Sequence, residues 1–99
     1  MSTRIAIDRK KVAEFCRRHH VRKLSLFGSV LRDDFVPGSD VDVLVEFEPG
    51  RTPGLRFFTM EEELSGLLGR KADLNTSGFL SRYFLEEVLR EAEVVYVAP

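Results

Sequence analysis

Apolar and polar residues alternate most cleanly over residues 40–47. Val41, Val43, Val45 and Phe47 fall on one side of an extended chain, and Asp40, Asp42, Leu44 and Glu46 fall on the other. That pattern predicts a half-buried strand whose acidic start faces a ligand-accessible side. Residues 21–27 predict a second strand, with Leu24 and Leu26 on one face and Ser25 and Phe27 on the other, ended by Gly28-Ser29. A short helical turn through Val30, Leu31 and Arg32 follows, and then a loop over 33–39 broken by Pro37-Gly38. Upstream, Asp8 is placed to cap a helix, with Ile7 and Val12 as a hydrophobic staple and Val12, Phe15 and Cys16 as its buried stripe. Arg17, Arg18, His19 and His20 close that helix, where positive charge suits the dipole. Downstream, a Pro- and Gly-rich loop over 48–54 leads to a helix over 55–68. Phe57, Met60, Leu64, Leu67 and Leu68 stand at helical spacing there, Glu61, Glu62 and Glu63 are partly exposed, and Gly69 is the stop. Residues 71–75 predict a short strand, 81–92 a helix with the stripe Phe84, Leu85, Val88 and Leu89, and 94–97 a last strand. The alternation of helices and strands predicts an α/β (α+β) fold, a mixed sheet with helices packed mainly on one face.

Composition narrows the class. Ninety-nine residues, 43% of them hydrophobic, predict one domain over 1–99 with enough apolar material for a core. A net charge of -1 and the lack of a basic stripe argue against a nucleic-acid partner. The single cysteine, Cys16, has no partner within the chain, which fits a reducing, cytoplasmic setting. The start, MSTRIAIDRKK, lacks the apolar run of a signal peptide, and no segment approaches the ~20 apolar residues of a membrane span. The adjacent His19 and His20 evoke metal binding, but neighbours on a helix diverge by about 100°, so a solvated helix end is the plainer reading.

The carboxylates carry the chemistry. Asp40 and Asp42 at i and i+2 on a strand point to one face. Two ionised carboxylates so close repel each other and call for a proton or a cation. At neutral pH the natural partner is a hard divalent ion, Mg²⁺ or alternatively Mn²⁺, which is commonly held by one or two carboxylates and by substrate phosphates. Gly28 lets backbone come close to an anion, and Ser29 adds a hydroxyl and an N–H donor. Arg32, one turn on, can add a charge-assisted phosphate contact. If the strand over 71–75 lies beside the one over 40–47, Asp73 completes a triad able to bind two ions for an in-line displacement. Each feature alone has a plain structural reading: a turn for Gly-Ser, a strand entry for Asp-x-Asp, a surface residue for Asp73. Their order, with ten residues between Ser29 and Asp40, is far more specific.

That order resembles the minimal nucleotidyltransferase (MNT) proteins of the DNA polymerase β superfamily, whose signature is Gly-Ser, about ten residues, then Asp-x-Asp at the head of a strand. The matching positions are Gly28-Ser29, Arg32, Ser39-Asp40, Asp42 and the later Asp73, and the resemblance spans nearly all of the chain. It implies a nucleotidyltransferase fold with Gly28, Ser29, Arg32 and Ser39 at the nucleotide. It also implies Asp40 and Asp42 on two Mg²⁺ ions, and Asp73 on one ion and at the attacking hydroxyl. The implied activity is transfer of AMP from ATP, with release of pyrophosphate. Bare MNT proteins resemble the antitoxin half of pairs whose other half is a HEPN ribonuclease toxin, silenced by AMP placed on a tyrosine (a type VII-like system). Larger relatives carry a second domain for other acceptors, and the lack of one in this chain favours a protein acceptor.

Two alternatives remain beside this reading. One keeps the chemistry but moves it to a nucleic acid or a small molecule. The other is a binding antitoxin that neutralises its partner by contact alone. For a partner surface or a homodimer, the candidates are Phe57, Phe58, Tyr83 and Phe84; aromatics on helices are more often core, but a chain this small has little core for eight phenylalanines.

Overall fold

Asp8 starts the first helix as expected: its side chain accepts the Lys11 N–H at 3.2 Å. In the computed structural model, which describes residues 7–31, 40–79 and 82–99 with side chains undescribed at 29, 30, 79, 82 and 83, helix α1 spans Arg9–Arg18. Val12, Phe15 and Cys16 are buried along one side of it, and Ile7 packs against the same core. His20, at φ 58, turns the chain into strand β1, Val21–Phe27. Gly28 begins a 3₁₀ turn, Gly28–Leu31, immediately at the strand's end. The expectation placed that turn at Val30; the positive φ of Gly28 starts it earlier. Strand β2 is Val41–Phe47, helix α2 is Arg56–Leu68, strand β3 is Ala72–Asn75, helix α3 is Arg82–Glu91 and strand β4 is Glu93–Val97. Gly69 ends α2 in the left-handed region, as its position foretold.

The sheet has the order β3-β2-β1-β4. β1 is antiparallel to both β2 and β4, while β2 and β3 are parallel. The parallel pair follows from the α2 crossover, since two parallel strands need a long connection to bring the chain back. Leu24, Leu26, Val41, Val43, Val45, Ala72 and Leu74 project from one face into a core shared with Val12, Phe15, Cys16, Met60 and Leu64 of α1 and α2. The other face carries a smaller cluster of Phe27, Leu44 and Val88, with Leu85 and Ala92 of the α3 region against it. The sheet is therefore mixed, with two helices on one face and α3 on the other. The expected stripe of α3 is narrower than its spacing suggested. Val88 is buried, but Phe84 and Leu89 are 46% and 53% exposed, because α3 docks on only the small patch made by Phe27 and Leu44.

Polar contacts tie the helices together. Glu63 of α2 pairs with Arg18 and, at 2.9 Å, with His19, so the basic end of α1 is anchored rather than merely solvated. The Arg18 guanidinium holds the Glu63 carboxyl below its ordinary value; partial burial opposes this and the His19 contact assists it. Burial pushes the Cys16 thiol up to about 12, so it stays protonated at neutral pH and acts as a small apolar core residue. Among the described residues no helix is long and apolar enough to cross a membrane.

Candidate functional site

The register of the strands decides which carboxylates meet. Phe27 of β1 lies opposite Asp42 of β2, and Asp42 lies opposite Asp73 of β3. Side chains of paired residues share a face, so Asp42 and Asp73 project side by side from adjacent parallel strands. Asp40 precedes β2 by one residue, two before Asp42, and is exposed. The condition on which a shared site depended, that the strands bearing Asp42 and Asp73 be neighbours, is met.

Gly28 completes the other flank of Asp42. Its φ of +77 is one that side-chain-bearing residues rarely adopt. A Cβ built there would overlap the Oδ2 of Asp42 and stand 3.2 Å from its Cγ. Glycine is thus required twice, by conformation and by space, and the room left by the missing Cβ is occupied by the Asp42 carboxylate. Ser29 is the second residue of the 3₁₀ turn, directly after that contact. Arg32 and Ser39, both expected at the nucleotide, lie outside the described residues.

A cleft of about 290 Å³ opens beside Asp42, lined by Phe27, Gly28, Phe84, Glu87, Val88 and Glu91 as well. Asp73 flanks Asp42 on the far side and is not part of that lining. Besides Phe27 of β1, the lining residues that sequence reasoning assigned to no site are Glu87, Val88 and Glu91, all on α3. Their signal was helical spacing, since Glu87 and Glu91 are four apart and bracket the buried Val88. Phe84, a candidate partner-surface aromatic, is 46% exposed, lines this cleft and stands edge-on to Phe27 with ring centroids 6.3 Å apart. Of the other residues expected at an interface, Phe58 is 66% exposed, Phe57 is half-buried against the core, and the side chain of Tyr83 is outside the description.

The donor set suits a hard cation, being carboxylate oxygens only. Among the described residues no three acidic, imidazole or thiol groups are gathered closely enough to hold a metal by themselves. The pair Asp42 and Asp73, with Asp40 at the rim, is nevertheless compatible with Mg²⁺, which usually takes one or two carboxylates and completes its shell from phosphates and water.

The nucleotidyltransferase domain profile matches residues 9–95. The chain belongs to the nucleotidyltransferase family. It is 42% identical over 85 residues to the protein adenylyltransferase MntA of Thermococcus cleftensis, covering 85% of this chain and 82% of that one. A solved structure assigned as a minimal nucleotidyltransferase superposes with a TM-score of 0.72 at 40% identity, covering 86% of each chain. At 17% identity the fold is shared with chains from toxin–antitoxin complexes. One was crystallised with AMP-PNP (TM-score 0.74, 93% of this chain and 75% of that one). Another holds the tri-AMPylated HEPN toxin of Shewanella oneidensis with its MNT antitoxin (TM-score 0.66, 91% and 70%). The expected family and its enzyme class are therefore established: this is a nucleotidyltransferase with a mixed-sheet nucleotidyltransferase fold.

Proposed function

We propose that this nucleotidyltransferase moves AMP from ATP, in the presence of Mg²⁺, to a tyrosine hydroxyl of a HEPN toxin and thereby acts as its antitoxin in the cytoplasm. The observation that carries the proposal is the in-register pairing of Asp42 with Asp73, beside a glycine whose missing side chain makes room for Asp42. The kinship with MntA of T. cleftensis supports the adenylyl group and a protein acceptor. The shared fold with an MNT antitoxin bound to an AMPylated HEPN toxin supports the partner.

In this reading Gly28 and Ser29 bring backbone and hydroxyl donors to the triphosphate, with Arg32 and Ser39 assisting. Asp40, Asp42 and Asp73 would hold the divalent ions. When bound, such ions supply charge neutralisation at the phosphates and polarise the attacking and leaving oxygens. Asp73, exposed on β3 where Asp42 on β2 is partly buried, orients the acceptor hydroxyl and takes its proton. The tyrosine oxygen then bonds to the α-phosphorus of ATP, the bond from that phosphorus to the β-phosphate's bridging oxygen breaks, and pyrophosphate leaves. Residues 1–99 work as one domain, and the acceptor's specificity comes from the partner's docking.

The test is incubation with α-labelled ATP, Mg²⁺ and the HEPN partner, with Asp42→Ala in parallel. Label on a partner tyrosine that vanishes in the variant is the expected result. Neutralisation of the toxin that survives Asp42→Ala without any label would replace the proposal with contact inhibition, and label on RNA or a small molecule would change the acceptor.

A further inference from the structure

Among the described residues β3, four residues long, is an edge strand of the sheet, and an edge leaves alternate backbone N–H groups without a ladder partner. Here those donors are taken by one face of α2. The Leu74 N–H donates to Oε2 of Glu61 at 2.8 Å, and the Ala72 N–H donates to Oγ of Ser65 at 2.8 Å. The Ser65 hydroxyl in turn donates to the Glu61 carbonyl at 2.7 Å, so the two residues, four apart on the helix, form one unit. The residue between the two clamped amides is Asp73. Its carbonyl also accepts from the Asn75 side-chain amide at 3.0 Å.

We propose that Glu61 and Ser65 are positioning residues for Asp73: they replace the missing neighbour strand and so fix the Asp73 carboxylate beside Asp42. The inference rests on the reading of Asp73 as a cation and acceptor ligand. The backbone on both sides of Asp73 is held by side chains on a helix that is itself buried in the core through Met60 and Leu64. Rotation of the strand would break both clamps together with the ladder to β2. Asp73 is exposed, whereas Ala72 and Leu74 are 0% and 3% exposed. Its side chain is not enclosed by the core, so its aim depends largely on the backbone that carries it. Three successive glutamates on α2 thus have different surroundings: Glu61 faces the β3 edge, Glu62 is exposed, and Glu63 pairs with α1. A general acidic surface would not explain that division.

The test compares Glu61→Ala, Ser65→Ala and Glu61→Gln, the last retaining a carbonyl acceptor for Leu74 N–H. Loss of a partner hydrogen-bonded directly to a metal ligand typically costs about 10–100-fold, which sets the upper scale for clamps that act through the backbone flanking Asp73. In AMP transfer to the HEPN partner, kcat should fall by up to that factor in Glu61→Ala and Ser65→Ala, with KM for ATP unchanged and Glu61→Gln close to wild type. In an Asp73→Asn background, Glu61→Ala should cost nothing more, because both act through one group. A second readout needs no turnover: Mn²⁺ added to the folded protein should broaden the Asp73 and Leu74 amide resonances in the wild type and in Glu61→Gln. Glu61→Ala should need about tenfold more Mn²⁺ for the same effect. Equal Mn²⁺ response in all variants, or no broadening in the wild type, overturns the positioning role, as does an undiminished cost of Glu61→Ala beside Asp73→Asn. A wild type that transfers no AMP yet shows the Mn²⁺ difference overturns the proposed reaction and leaves the positioning role standing.

Discussion

The two faces of the sheet are built from alternate residues of the same strands, yet they are closed to very different degrees. On the face beneath α1 and α2, Leu24, Leu26, Val41, Val43, Val45, Ala72 and Leu74 are all nearly inaccessible. On the face beneath α3, Phe27 and Leu44 are covered by Val88, while Asp42 borders an open cleft and Asp73 is exposed. Because the strand period is two, every residue commits to one face or the other. Stability and chemistry are thereby assigned to interleaved positions one residue apart, such as Val41 and Val43 on either side of Asp42. The lesson is that substitutions of the core beneath α1 and α2 and of the carboxylates on the α3 face should separate into loss of folding and loss of reaction, while the buried Phe27, Leu44 and Val88 keep a structural share on the α3 face.

The sharpest break of that comparison is Asp42→Ala. It should lower AMP transfer about 10³-fold or more, equivalent to about 4 kcal/mol of transition-state stabilisation. Its thermal midpoint should stay near that of the wild type, measured by transfer kinetics alongside a melt. The opposite case is Leu64→Ala on the closed face. Leu64 is wholly buried, and removing it should cost about 3 kcal/mol in denaturant unfolding while folded molecules keep their turnover. Gly28→Ala should touch both properties, since it forces a left-handed conformation on alanine at about 1–2 kcal/mol and pushes against Asp42. Turnover per folded molecule should drop along with stability; an unaltered rate would mean that the Gly28 contact does not position Asp42.

The smallest effect concerns pH and lies away from the open face. The folded state depresses the Glu63 carboxyl through Arg18, so its contribution is fully present above the ordinary value of 4.5 and fades as pH falls through the lower folded value. A partly exposed surface pair of this kind is worth about 1 kcal/mol or less. Glu63→Gln should accordingly flatten the acid limb of a stability-against-pH curve while leaving the curve near neutrality only slightly lower.

Much of this division was legible in the sequence. The alternation over β2 announced both its buried valines and the shared face of Asp40 and Asp42, because a two-residue period is a property of any strand. Gly28 was legible as a turn, but its contact with Asp42 was not, since that depends on how β1 and β2 pair. Asp73 could be named as a third carboxylate only on the condition that its strand lay beside β2, and the register of β3 on β2 meets that condition. Glu87, Val88 and Glu91 escaped assignment because the face that α3 turns to the sheet is set by docking on Phe27 and Leu44. Periodicity marked Phe84 and Leu89 as core in the same way that it marked Val88, and the small size of the patch left them exposed. The three glutamates of α2 looked alike in sequence because nothing local distinguishes a residue aimed at an edge strand from one aimed at solvent.

The buried Cys16 supplies a clock for all of these comparisons. It is the sole thiol in the sequence, it is fully enclosed, and its proton is held until strongly alkaline pH. A thiol-reactive dye can therefore label the protein only when the core between α1 and the sheet opens, so the labelling rate in plain buffer reads the opening equilibrium without denaturant. Variants of the closed face should label faster in proportion to their lost stability, and variants of Asp42 and Asp73 should label at the pace of the wild type.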